Sequence, residues 1–138
     1  VYQELLGQQH IIIPGATEVI DYLYPKYDLY IVTNGVTATQ LRRLSDSKLD
    51  RYMKKIFVSE ETGYQKPMRE YFDYCFERIP GIQPDKTIII GDSLSSDMKG
   101  GNNAGISTCW YNPDQLENHA GIRIDYEIRS LHELCEIL

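Results

Sequence analysis

Thr87-Ile88-Ile89-Ile90-Gly91-Asp92-Ser93-Leu94-Ser95-Ser96-Asp97 joins an apolar run to two closely spaced aspartates. Four strand-favouring residues in a row, closed by glycine, predict a strand buried on both faces, as strands of a parallel sheet are. The run delivers two aspartates, Asp92 and Asp97, to the carboxyl end of that strand. In an open parallel sheet, ligands bind just outside the carboxyl ends of the strands. A carboxylate held there suits a hard cation, since Mg²⁺ takes one or two carboxylates together with water and phosphate oxygens. Asp97 falls in the first turn of the following helix, where a negative charge also suits the helix dipole. A purely structural role for both, as turn and capping residues, competes with this. Ser95 or Ser96 reads as the N-cap of that helix rather than as a nucleophile.

Outward from this stretch, the pattern alternates between strands and helices. Helical spacing of Ala16, Val19, Ile20 and Leu23 predicts a helix over 16–24, stopped by Pro25. Strands are expected at Leu29–Thr33, Lys55–Ser59, Ile106–Tyr111 and Tyr126–Ile128. Helices are expected at 37–44, at 68–79 with Tyr71, Phe72, Cys75, Phe76 and Ile79 on one face, at 96–104, and at 131–138. Such alternation implies parallel pairing through right-handed crossovers. Val1 to Gln8 reads as the end of a helix, followed by Ile11-Ile12-Ile13 and a break at Pro14-Gly15.

Two further strand ends carry chemistry. Thr33-Asn34-Gly35 offers a hydroxyl, backbone N–H groups and a glycine free to take positive φ, all suited to phosphoryl oxygens. A plain Asn-Gly turn is the competing reading. Lys66-Pro67 places a point charge in a loop that opens a helix, where lysine neutralises a transferring phosphoryl group. Trp110, the tyrosines and the three histidines read as packing or surface residues.

The chain has 138 residues, 42% hydrophobic and 25% charged, with a net charge of −6. This is one ordinary globular domain with enough length for a core. The acidic balance argues against a nucleic-acid polymer as partner. No apolar stretch reaches the ~20 residues of a membrane span. Cys75, Cys109 and Cys135 are widely spaced, without the Cys-x-x-Cys pairing of zinc or redox sites, and suit a reducing cytoplasm.

Thr33, Lys66 and the pair Asp92 and Asp97, in this order and on these elements, resemble the second, third and fourth motifs of the haloacid dehalogenase superfamily. The run from Gly91 to Gly105, with Ile31-Val32-Thr33-Asn34-Gly35 and Thr108-Cys109-Trp110-Tyr111-Asn112, is similar to its pyrimidine 5′-nucleotidase-like branch. The resemblance covers nearly the whole chain. It implies a Rossmann-like three-layer α/β/α core with a parallel sheet. It also implies a magnesium-dependent phosphomonoesterase acting through an aspartyl-phosphate on nucleoside 5′-monophosphates or similar small phosphates. In those terms Thr33 and Lys66 are catalytic, and Thr33, Asn34, Gly35 and Lys66 bind phosphate. Asp92 holds Mg²⁺ and Asp97 supports the metal shell or Lys66.

The superfamily's first motif, an Asp-x-Asp at the end of a central strand, occurs nowhere in the 138 residues. Residues 1–14 are therefore expected to be the end of a cap helix and its return linker, with 15–138 forming the core, and the chain alone is expected to be inactive. The central strand and most of the cap would be missing. The gap would stay open or be filled by Ile11-Ile12-Ile13, by an upstream segment or by a strand from another chain. A dehalogenase or phosphonate-cleaving relative shares the scaffold. The alternative reading is a non-catalytic or degenerate module that works by binding a partner. A signalling receiver domain also combines Asp, Thr and Lys-Pro, but there the acidic pair precedes the threonine.

Overall fold

A computed structural model of the chain describes residues 3–7, 16–47 and 50–138. Among these residues six strands form one sheet: β1 (Gln3–Gly7), β2 (Asp28–Thr33), β3 (Lys55–Val58), β4 (Thr87–Gly91), β5 (Ser107–Tyr111) and β6 (Tyr126–Ile128). Their order is β3-β2-β1-β4-β5-β6, and every neighbouring pair is parallel. The helices are α1 (Ala16–Leu23), α2 (Thr37–Ser47), α3 (Ser59–Thr62), α4 (Arg69–Glu77), α5 (Lys99–Ala104) and α6 (Leu134–Ile137). The expected α/β class with a Rossmann-like parallel sheet is what the chain adopts.

The central position of the sheet departs from the sequence reading. Gln3–Gly7 is not helical; it is a strand, in register with Asp28–Val32 on one side and with Thr87–Ile90 on the other. The central slot is thus filled within the chain, and β2 and β4 do not pair directly. The physical reason is non-local. Both flanking strands are buried along nearly their whole length, and each would otherwise present a row of unpaired N–H and C=O groups away from water. Any segment that satisfies those groups gains more than its local helix preference is worth. The Ile11-Ile12-Ile13 segment lies outside the described residues.

Side chains alternate across the sheet, as period-two geometry requires. Tyr30, Val32 and Ile89 point to a core completed by Tyr71, Phe72 and Cys75 of α4, together with Met98, Ile106 and Trp110. Leu29, Ile88, Ile90 and Cys109 point the other way, onto Val19, Ile20 and Leu23 of α1 and Leu134 of α6. Two hydrophobic layers, one on each face, explain why β4 reads as a continuous apolar run. On the first face α5 lies very close to the sheet. A Cβ at Gly101 would come within 2.6 Å of Thr108 Cγ2 and 2.7 Å of Ile89 Cγ2, so only glycine allows this approach.

None of the three cysteines is in a disulfide. Burial among apolar side chains pushes the Cys75 thiol well above its ordinary range. Among the described residues no helix is long and apolar enough to cross a membrane.

Candidate active site

Thr33, Lys66, Asp92 and Asp97 converge at the carboxyl edge of the sheet, although 64 positions separate the first from the last. The centre of the group is an ion pair. Lys66 Nζ lies 2.5 Å from Asp97 Oδ1, and both side chains are fully buried. The same ammonium donates to the carbonyl of Val32 at 3.2 Å, one residue before Thr33. Asp97 Oδ2 accepts the N–H of Ser93 at 3.3 Å. Lys66 is thereby fixed against the end of β2 and against the loop after β4 together.

Several residues hold this lysine in place. Asn34 grips its backbone from both sides: Oδ1 accepts the Lys66 N–H at 2.9 Å, and Nδ2 donates to the Lys66 carbonyl at 3.3 Å. The Lys66–Pro67 peptide bond is cis. Asn103 of α5 donates to the Pro67 carbonyl at 2.9 Å. Gly91 is required by the same cluster. A Cβ there would fall 2.2 Å from Asp97 Oδ2, so any side chain would drive the carboxylate off the lysine.

The two aspartates are sorted by burial. Asp97 is sealed beneath the surface on Lys66, whereas Asp92 is exposed at the end of β4. The main chain at Asp92 is anchored by Trp110, whose indole N–H donates to the Asp92 carbonyl at 3.1 Å. Trp110 is opposite Gly91 in the β4–β5 register. Among the described residues no three His, Cys, Asp or Glu side chains gather into a metal cage. The donor set fits Mg²⁺ as one hard carboxylate to be completed by water and phosphate oxygens.

The loop after β2 is only partly as the sequence suggests. Gly35 does take positive φ, +145°. Its N–H, however, donates to Ser59 Oγ at 2.9 Å, and the Asn34 side chain is occupied with Lys66. Thr33 is buried, and its N–H donates to the phenol oxygen of Tyr71 at 3.0 Å. That phenol donates to the Phe57 carbonyl at 2.6 Å and so ties the ends of β2 and β3 together. Burial pushes the Tyr71 hydroxyl far above its usual range, so it acts as a fixed neutral bracket.

The turn after Asp92 also differs from expectation. Leu94–Met98 forms one π-helical turn that leads into α5, capped by Ser93 and not by Ser95 or Ser96. Ser93 Oγ accepts the Ser96 N–H at 3.2 Å. The wider turn brings Asp97 back over Gly91, and single π turns are frequent at functional sites.

Tyr71 and Trp110 were both missed as parts of this site. Their signal was a polar tip on a residue otherwise suited to packing, because a buried phenol or indole N–H needs a partner. Replacing Tyr71 with Phe keeps the packing but deprives the Thr33 N–H and the Phe57 carbonyl of this partner. A loss of about 1–3 kcal/mol is expected, measured as a lower urea midpoint with an unchanged slope. An unchanged midpoint would show that the bracket contributes nothing.

Residues 1–111 match the family model of haloacid dehalogenase-like hydrolases. YfnB of Bacillus subtilis, named as a HAD-hydrolase, is 55% identical over 137 residues, covering 99% of this chain and 58% of that protein. The pyrimidine 5′-nucleotidase PynA of Streptococcus pneumoniae is 44% identical over 138 residues, again with 99% and 58% covered. The pyrimidine 5′-nucleotidase YjjG of Escherichia coli is 36% identical over 126 residues, covering 91% and 56%. The crystal structure of YfnB bound to magnesium superposes with a TM-score of 0.89 at 57% identity, covering 91% of this chain and 55% of that one. The chain thus spans less than two thirds of the length of these relatives. With a family match over most of its length and a parallel sheet that gathers Thr33, Lys66, Asp92 and Asp97 at one edge, the chain belongs to the haloacid dehalogenase-like hydrolases.

Proposed function

We propose that this chain supplies the phosphate-handling half of a magnesium-dependent phosphomonoesterase that acts on pyrimidine nucleoside 5′-monophosphates or close analogues. The observation that carries the reading is the buried Lys66–Asp97 pair set between Thr33 and Asp92 at the sheet edge. The names of PynA and YjjG support the substrate class.

The ammonium of Lys66 has three N–H donors, and among the described residues two are used, on Asp97 and Val32. The third serves a phosphoryl oxygen or the attacking carboxylate. Asp97 acts as a positioning residue: it holds the ammonium charged and aimed, so no reorganisation is needed as negative charge develops. The Thr33 hydroxyl donates to a second phosphoryl oxygen. Asp92, exposed and anchored through Trp110, would hold the cation. Mg²⁺ bound there would neutralise phosphate charge and align the ester for in-line attack.

The 138 residues contain no Asp-x-Asp. In this proposal the nucleophilic aspartate comes from polypeptide beyond them, attacks phosphorus and displaces the ester oxygen as the free alcohol; water then cleaves the aspartyl-phosphate, releasing inorganic phosphate and restoring the carboxylate. The nucleophile's strand would take the central position that β1 occupies here. The chain by itself would then bind phosphate weakly and turn over nothing.

The test is phosphate release from uridine 5′-monophosphate with Mg²⁺, comparing the 138-residue chain with a longer protein that joins it to an Asp-x-Asp strand. Turnover only by the longer protein is expected. Turnover by the chain alone that vanishes in Asp92→Asn would refute the division of labour. No turnover by either would refute the activity. The alternative of a module that acts only by binding a partner predicts that last result.

A further inference from the structure

Beside the loop at Thr33–Gly35 lies a hollow of about 400 Å³, walled by Gly35, Tyr64, Gln65 and Met68 among others. Its frame is rigid. Ser59 Oγ holds the Gly35 N–H, and Glu60 Oε1 accepts the Thr37 N–H at 3.1 Å. Thr62, buried, fixes the turn that carries Tyr64: its Oγ1 donates to the Tyr64 carbonyl at 2.8 Å and accepts the Tyr64 N–H at 3.2 Å. Yet the side chains on this frame face water. Tyr64 is 42% exposed, Met68 38%, and the adjacent Val36 52%. The Gln65 amide has no hydrogen-bond partner among the described residues, although its main-chain carbonyl accepts the Met68 N–H. A braced backbone that presents an aromatic ring, a thioether and an unused amide is the composition of a small-molecule subsite.

The charge of the hollow narrows what it takes. The ionised group on its wall is Glu60, already engaged with Thr37. Of the cations nearby in sequence, Lys66 is turned inward onto Asp97 and Arg69 faces Asp73 along its own helix at 3.8 Å. The hollow therefore does not suit a second phosphate; it suits an uncharged planar group with a polar edge. Gly35 belongs both to the anion loop and to the hollow, so the two adjoin.

Resting on the phosphatase reading above, we infer that this hollow is the leaving-group subsite, with the nucleobase stacked on the Tyr64 ring against Met68 and its amide edge met by Gln65. Discrimination among phosphate esters then resides partly in this chain. Tyr64 supplies affinity, since aromatic stacking works on any base, and Gln65 supplies the hydrogen bonds that favour a base with an amide edge.

The experiment titrates the 138-residue chain with uridine 5′-monophosphate and, separately, with inorganic phosphate, both with Mg²⁺. Amide chemical shifts are followed by NMR for wild type, Tyr64→Ala and Tyr64→Phe. Both ligands should perturb Thr33 and Asp92, while the nucleotide alone should perturb Gly63, Tyr64, Gln65 and Met68. Tyr64→Ala should weaken the nucleotide about tenfold and leave phosphate unchanged, and Tyr64→Phe should restore nucleotide affinity. Nucleotide binding no tighter than phosphate, or equally tight to Tyr64→Ala, overturns the inference and leaves the phosphate site standing. Absence of any response to phosphate at Thr33 and Asp92 overturns the proposed function, and this inference with it.

Discussion

Asp97→Ala is expected to destabilise the fold by about 3–5 kcal/mol, and Lys66→Met by a similar amount, because each leaves one charge buried and alone. Both side chains are fully removed from water, and the pair is 2.5 Å apart. Among the described residues, the ammonium after Asp97→Ala keeps the Val32 carbonyl as its one partner, and the carboxylate after Lys66→Met keeps the Ser93 N–H. A loss of this size is a large part of the 5–15 kcal/mol that holds an ordinary domain together. The double variant Lys66→Met with Asp97→Ala should cost about 2–3 kcal/mol less than the sum of the singles, since no lone charge then remains. Urea denaturation of the four proteins closes this cycle. Additive losses would mean that the two groups do not act as a unit.

Such a pair is a weak source of net stability, because desolvating two charges offsets most of their attraction. Its use is positional. A lysine on a flexible four-carbon stem would otherwise sample many rotamers. Here Asn34 fixes its backbone and Asp97 its tip. A stability loss in Asp97 variants without a matching loss of phosphate affinity at permissive temperature would argue against that use.

Local signals carried much of this arrangement. The Thr87–Ile90 run, closed by Gly91-Asp92, marked a buried parallel strand and the edge where Asp92 stands. Helical spacing of Tyr71, Phe72 and Cys75 marked the buried face of α4. What sequence could not carry was non-local. Gln3–Gly7 has no alternating strand pattern, and its place between β2 and β4 is set by the backbone groups of its neighbours. Asp92 and Asp97 look alike in sequence. Only the π turn at Leu94–Met98 separates them, leaving one exposed and folding the other under onto Lys66. Asn34 reads as a phosphate donor because an Asn-Gly turn after a strand offers its groups to any ligand. Its commitment to Lys66 depends on a loop 32 positions away. Tyr71 and Trp110 were legible in principle, since each places a hydrogen-bonding tip in a core where Phe would pack as well.

The measurement that bears most directly on the account is Mg²⁺-dependent release of phosphate from uridine 5′-monophosphate by Asp92→Asn, made in the longer protein that joins this chain to an Asp-x-Asp strand. Asp92 is exposed and its carboxylate supports no packing, so the variant should fold with an unchanged urea midpoint. If Asp92 anchors the cation, losing its charge removes several kcal/mol of transition-state stabilisation, and kcat should fall about 10³-fold or more. Turnover within a fewfold of wild type, with the same dependence on Mg²⁺, would contradict the assignment of this sheet edge as the cation and phosphate site.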